Sequence, residues 1–426
     1  MPKITNLPTI ATEDISLEDL FAIVDVDATI PRTDRITVEQ LRDFILGFVT
    51  TQINVSKTVY VDPKFGDDFS GLRERADKPF LTIAAAIAAA KVGDVVVLRA
   101  GDHSVFSNLA IDGVSFYGEE GSNIYCFTTL LNFDTTIGGV ALTTPFFWTG
   151  YSRVLQCTGN LINVKSNPTA NVTLEFNSVT VNNISNGILG QDGLIKLLIR
   201  GDYNSAGRNF SMRLTGNLNA VIWGNVTNTF VNVSNGCFWI SGTTWSGKAT
   251  IKAKSFIIPS NVVGGFSCHI YADNLSGSYL SIELDELIDT SNVAQGAIRI
   301  NNAFVNTAGD FLIKIKKVSI VRPLFKNTNP TANIILELDE VSATGVCEQT
   351  IGKILIKNSL VKSLSNIPIF VSGGTLSLMA TTIVTNGINP TISNPAGTVL
   401  SEGSKGNVAP SNPVVGNFYV NALYTF

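Results

Sequence analysis

The chain has 426 residues, enough for two or three domains or for one long repeat array with end pieces. Only 15% of the residues are charged, the net charge is −4 and the pI is near 5.4, so no basic surface for nucleic acid is expected. Mean hydropathy is positive at +0.25, but the most apolar run, Leu81 to Ala90, stops at Lys91, short of the ~20 residues a membrane-spanning helix needs.

Residues 1–54 are acidic (Glu13, Asp14, Glu18, Asp19, Asp25, Asp27, Asp34, Glu39 and Asp43) and poor in glycine. Thr37-x-x-Gln40 has the form of a capping box, and Leu41, Ile45, Leu46 and Val49 follow on one helical face, so a small helical domain is predicted. A helix of ~12 residues is marginal alone in water; it has to pack on the rest of the chain or on copies of itself. The start, Met1-Pro2-Lys3-Ile4-Thr5, has no apolar h-region, and no secretory signal is expected.

Residues 58–104 read as the entrance of a solenoid. Thr58–Asp62 is a strand, Gly66-Asp67-Asp68-x-x-Gly71 a turn-rich loop, and Thr82 to about Lys91 an alanine-rich helix. The strand Val95–Leu98 and a turn at Gly101-Asp102 follow. An open solenoid end exposes apolar core and unpaired strand edges, so it needs a cap, and the helix suits that role.

Further along, four segments resemble one another: Ile251-Lys252-Ala253-Lys254, Ile282-Glu283-Leu284-Asp285, Ile313-Lys314-Ile315-Lys316 and Leu336-Glu337-Leu338-Asp339. Their starts are 31, 31 and 23 residues apart. Apolar and charged residues alternate, which sends them to opposite faces of a strand. Stacked in order at about 4.8 Å, the segments produce two columns in which the sign of charge alternates, Lys252–Glu283–Lys314–Glu337 and Lys254–Asp285–Lys316–Asp339. Opposite charges across neighbouring strands help by roughly 0.2–1 kcal/mol per pair, and like charges would oppose the pairing. The period therefore specifies a parallel stack of the chain's own segments, a β-solenoid. Asn167–Phe176 returns as Asn329–Leu338, and looser apolar–x–apolar cores occur at Leu197–Ile199, Met212–Leu214, Leu355–Lys357 and Leu376–Leu378. Asn186-Gly187, Asn235-Gly236 and Asn386-Gly387 mark turns. Successive coils are expected over 105–395, then a Gly/Pro/Ser/Asn-rich tail at 396–426 whose aromatic end, Leu423-Tyr424-Thr425-Phe426, docks on a neighbouring subunit or on the last coil.

Tyr60-Val61, Gly66-Asp67-Asp68, Gly71, Lys78-Pro79-Phe80-x-Thr82-Ile83, Gly93-Asp94-x-Val96 and Gly101 resemble the first coil of pectin-lyase-like right-handed β-helix proteins, an arrangement found in many bacteriophage tail spikes and fibres. Ile4-x-x-Leu7-Pro8 through Asp25-x-Asp27 to Ile36-Thr37-x-x-x-Leu41 is similar to the short amino-terminal domain of phage tail-fibre proteins. The first likeness covers about 45 residues, and beyond Gly101 only the architecture is alike. It implies a mainly β fold, a right-handed parallel β-helix over 55–395. It also implies a homotrimeric virion appendage, made in the host cytoplasm, joined to other virion proteins through 1–54 and attaching to a host-surface glycan or protein. The alternatives are a polysaccharide depolymerase (lyase or hydrolase) on the same β-helix, a head or collar fibre, and a bacterial surface adhesin, which the missing signal disfavours.

Chemistry-bearing clusters are sparse. Glycoside hydrolysis needs two carboxylates ~5–9.5 Å apart, and a calcium-type lyase needs clustered aspartates beside a basic residue. The polygalacturonase-type Gly-His-Gly is missing, and Arg299-Ile300 is followed by Asn301. Glu283, Asp285, Glu337 and Asp339, with Asp289, are the available catalytic candidates, and lysine neighbours in the columns make them poor acids and poor cation ligands. Phe146-Phe147-Trp148 with Tyr151, and Phe238-Trp239 with Trp245, offer rings to a saccharide, although alternation sends at least one ring of each cluster inward. The five cysteines lack CxxC spacing, and the pairs Cys126/Cys157 and Cys237/Cys268 are each 31 apart; reduced, buried thiols are expected. His103 and His269 read as turn or surface residues, too far apart for a metal centre. No cofactor is expected.

Overall fold

A computed structural model describes residues 20–25, 32–37 and 58–420, apart from 184–185, 230–235, 241–243, 260–267, 274, 291–295, 301–309, 321, 329–332, 344, 350–351, 364–368 and 386–389. The chain divides into two compact units, Met1–Val55 and Ser56–Phe426. In the first, the described residues form an antiparallel hairpin, Leu20–Asp25 against Arg32–Thr37, with Leu20 opposite Thr37 and Asp25 opposite Arg32. Thr37 ends the second strand, and extended backbone is also what a helix N-cap adopts. Leu20-Phe21-Ala22-Ile23-Val24 is a β-branched and apolar run that suits a strand better than a helix. The helix expected over 38–49 lies outside the described residues.

The second unit is built of parallel strands. A 22-stranded and an 11-stranded sheet run its length, and every pairing within them is parallel, as in a β-solenoid. Most coils contribute two stretches to the large sheet and one to the smaller. Asn171–Phe176 and Ser178–Val181 are separate strands in one coil; later the two stretches fuse into long strands, Asn217–Asn228, Lys248–Ile258, Tyr279–Asp289, Asp310–Ile320 and Asn333–Ala343.

The register follows the 31, 31, 23 period. Ile251 pairs with Ile282, Ile282 with Ile313 and Ile313 with Leu336, and all four are at most 1% exposed. Burying each such side chain is worth ~1.5–3 kcal/mol, and a one-residue slip would turn the whole row to solvent. The longer coils have their extra residues between strands. Residues 259–269 and 290–297 separate the large-sheet strand from the small-sheet strand where 321–322 does so in the shorter coil, and 301–309 precedes the return to the large sheet where 328–332 does so. At 353–357 the interior residues are Ile354 and Ile356, and Leu355 faces outward, one position from the expected phase. Met212 is buried, but Leu214 lies past the end of its strand and is exposed.

The entrance is plugged. The segment 62–82 covers the free edge of Thr58–Val61 through hydrogen bonds from Phe80 N–H to Tyr60 O (2.8 Å), Asp62 N–H to Phe80 O (2.8 Å) and Glu74 N–H to Thr58 O (2.7 Å). Gly66 is required here, since a Cβ would lie 2.2 Å from the Phe80 carbonyl oxygen. Asp68 accepts hydrogen bonds from the Leu81 and Thr82 amides and from Thr82 Oγ1, and Thr82 Oγ1 caps the helix Ile83–Ala89 by accepting from Ala85 N–H. Arg73 grips the buried carboxylate of Asp94 with Nε and Nη2. The helix packs on Thr58–Val61, Val95–Leu98 and Gly101–Val105 with Ile83 and Ala86 buried. At the other end Val415–Val420 pairs only with Thr398–Gly406 among the described residues.

Candidate functional site

The outer face of the long strands carries the charge columns. Lys252 lies opposite Glu283, Glu283 opposite Lys314 and Lys314 opposite Glu337, with Nζ–carboxylate distances of 3.2 Å for Lys252–Glu283 and 3.1 Å for Lys314–Glu337. Lys357 on the next coil extends the column, 2.5 Å from Glu337. In the second column Lys316 binds Asp285 at 2.7 Å, and Lys317 adds a pair with Glu286 at 3.1 Å. Burial pushes the Glu337 carboxyl up, but hydrogen bonds from Lys357 and Lys314 outweigh it and hold its pKa below the ordinary glutamate value. The hydrogen bond to Asp285 raises the Lys316 ammonium. A carboxylate held in this way by cations is a weak proton donor at neutral pH. Asp339, at the end of the second column, has no ion pair to a lysine within 4 Å among the described residues.

Asp289 departs from this pattern. It is the last residue of its strand, its side chain is fully buried, and it forms an ion pair with the buried Arg322. His269 is also fully buried, with Nδ1 3.6 Å from Asp289 Oδ2 and Nε2 2.9 Å from the Ile288 carbonyl. Burial pushes its pKa down to about 4. His103 is 3% exposed, its Nε2 2.8 Å from the Arg99 carbonyl. Both histidines are therefore interior, not turn or surface residues. The sequence did not reveal this because Gly101-Asp102 read as a turn, whereas His103 takes an inward position in the strand Gly101–Val105, and His269 directly precedes the short strand Ile270–Ala272. Among the described residues no group of three or more His, Cys, Asp and Glu side chains is placed to hold a metal ion. All five cysteines are free and buried. Cys157 is the register partner of Cys126, whereas Phe238 pairs with Ile270, so the 31-residue spacing of Cys237 and Cys268 is one short of the local register.

The aromatic candidates divide sharply. Trp148 is fully buried between Phe116 (4.7 Å) and Phe176 (5.5 Å), and Trp245 is fully buried with its Nε1–H donating to Gly216 O. Trp239 is 4% exposed, stacked on Tyr271 at 4.2 Å with the Arg208 guanidinium 4.9 Å from its ring. These three are packing residues and present no ring to a ligand. Tyr151 is exposed, and Arg200 sits 4.8 Å over its ring.

A further ring was missed from sequence. Trp223 is 60% exposed on the strand that precedes the ladder. Ile222 pairs with Ala253 and Asn225 with Ser255, so Trp223 and Gly224 together face the single residue Lys254, a β-bulge. The signal was present in Trp223-Gly224, since glycine inside a strand marks a bulge. Gly224 has no room for a Cβ, which would lie 2.5 Å from the Gly201 carbonyl oxygen. Compared with known protein families, characterised proteins and solved structures, the chain matches none.

Proposed function

We propose that this chain is a bacteriophage virion appendage, a tail fibre or tail spike, whose solenoid is a right-handed β-helix. Residues 1–54 attach it to the particle, the assembly is a homotrimer, and the outer faces of the coils bind the host surface. The observation that carries the reading is the outer-face ladder: parallel coils kept in register by alternating charges make a stiff rod, and its carboxylates Glu283, Asp285 and Glu337 are held by lysines. The resemblance of the sequence from Tyr60 to Gly101 to the first coil of pectin-lyase-like proteins supports the handedness and the source. A surface of this kind suits contact better than acid–base chemistry. The test is to incubate purified protein with host cells and with isolated host polysaccharide, measuring adsorption and the release of reducing ends or unsaturated uronate. Saturable adsorption without release is expected. Release that a single amide substitution in the ladder abolishes, with melting unchanged, would make the chain a depolymerase.

A further inference from the structure

We infer that the bulge at Trp223 and the adjoining end of the ladder form a binding site for an acidic saccharide; this deepens the attachment reading and rests on it. Trp223 and Val221 line one side of a groove of about 240 Å³, and Lys252, Lys254, Glu283 and Asp285 line the other. An exposed tryptophan is costly to leave in water, and here the backbone that carries it is held, with Gly224 N–H donating to Gly201 O at 3.1 Å. The bulge sets its direction, and Gly224, in contact with the Gly201 backbone, keeps the bulge from relaxing. Bulges commonly re-aim a side chain beside a functional site.

Charge supplies the second argument. Within the two columns Lys252, Lys314 and Lys316 each have a carboxylate within 3.2 Å. Lys254 has no ion pair among the described residues, because Asp285, which falls opposite it, is taken by Lys316 at 2.7 Å. The result is one unneutralised ammonium directly across the strand gap from an exposed indole. Glu283 and Asp285 are each paired with one lysine, so they repel an incoming anion less than free carboxylates would. A sugar ring presents C–H groups to an aromatic face, while a carboxylate or sulfate on that sugar pairs with Lys254; hydroxyls reach the ladder's polar heads. A neutral saccharide lacks the second contact. A protein partner would need a larger apolar area than one indole and one valine supply.

The other three tryptophans are at most 4% exposed, so a change in emission on adding a surface ligand, over a background from all four rings, reports Trp223. The probes are oligogalacturonate, sialyllactose and a sulfated galactan oligosaccharide, each with its methyl-esterified, desialylated or desulfated counterpart. At least one acidic probe gives a saturable shift in emission. Trp223→Ala abolishes that shift, Lys254→Met weakens binding tenfold or more, and the neutral counterpart gives none up to millimolar concentration. Silence with all three probes, equal response to acid and neutral forms, or wild-type affinity in Lys254→Met overturns the site. Host-cell adsorption separates this from the broader reading. If the wild type adsorbs and both variants adsorb equally, or adsorption survives periodate but not protease treatment of the cells, this site is wrong and attachment stands. If the wild type does not adsorb, the attachment reading falls with it.

Discussion

Lys314→Glu is the most direct perturbation of the ladder. In the native protein Lys314 lies between Glu283 and Glu337 in adjoining strands and binds Glu337 at 3.1 Å. A carboxylate in its place loses one favourable pair and creates two like-charge neighbours. Its side chain is 47% exposed, so each interaction is screened; exposed pairs are worth ~0.2–1 kcal/mol, and like charges opposite one another cost a similar amount. The three changes together come to about 1–2 kcal/mol. Lys314→Met, which keeps most of the stem, loses only the attraction and costs ~0.2–1 kcal/mol. Equilibrium denaturation of wild type and both variants in low salt and in 1 M NaCl measures the difference. Because the Debye length falls from about 10 Å at 0.1 M to 3 Å at 1 M, the gap between the variants should shrink by more than half in high salt. If Lys314→Glu is no worse than Lys314→Met, or its penalty ignores salt, the columns do not hold the register electrostatically.

Other outcomes can be checked with the same assays. Arg322→Met leaves the Asp289 carboxylate buried beside His269 without its cation, and should destabilise by ~3–5 kcal/mol, while the paired change Asp289→Leu with Arg322→Met recovers much of the loss. His269 is held near 4 in the folded state against 6.5 for the free side chain, so between those values the unfolded chain binds the extra proton. Stability is full above about pH 6.5 and falls as pH drops toward 4, and His269→Gln flattens that slope in urea titrations read at several pH values. Trp148→Ala should cost ~3–5 kcal/mol, whereas Trp223→Ala should change stability by less than ~0.5 kcal/mol; equal losses would refute the assignment of one ring to the core and the other to the surface. Removing residues 1–54 should leave the melting of the remainder unchanged and abolish its incorporation into particles, scored by immunoelectron microscopy.

The large-sheet register was legible because two signals coincided at one period, apolar alternation and alternating charge. Where only one signal was present the phase was lost: Leu355-x-Lys357 was read one residue out, since Ile354, Leu355 and Ile356 are all apolar and offer no polar face to fix the count. The buried Asp289, Arg322 and His269 were illegible for a different reason. They lie in three different coils, at or beside the ends of strands, where no periodic pattern says which residues will meet. For Trp148, Trp239 and Trp245 alternation required only that at least one ring of each cluster point inward; it did not say which, and all three turn out to be core. Trp223 stood alone and was passed over, although a tryptophan next to a strand glycine is a local irregularity that can be searched for. In the amino-terminal unit acidic composition and a capping-box motif drew the reading toward helix, while the apolar β-branched run at 20–24 forms one strand of a hairpin.

The plugged entrance also gives the rod a direction in time. Chains emerge from synthesis with the amino terminus first, and the plug closes the outer edge of Thr58–Val61 using residues no later than 99: Asp62 and Phe80, the Arg73–Asp94 clasp, and the Arg99 guanidinium bound to the Ala76 carbonyl. The first coil can therefore complete itself while the ladder residues are still unmade. It then leaves one open strand edge, so a later coil that pairs with it as it emerges is templated by its predecessor. In a protein with many near-equivalent strands, each able to pair with several others, a one-way template removes most of the wrong pairings before they can form.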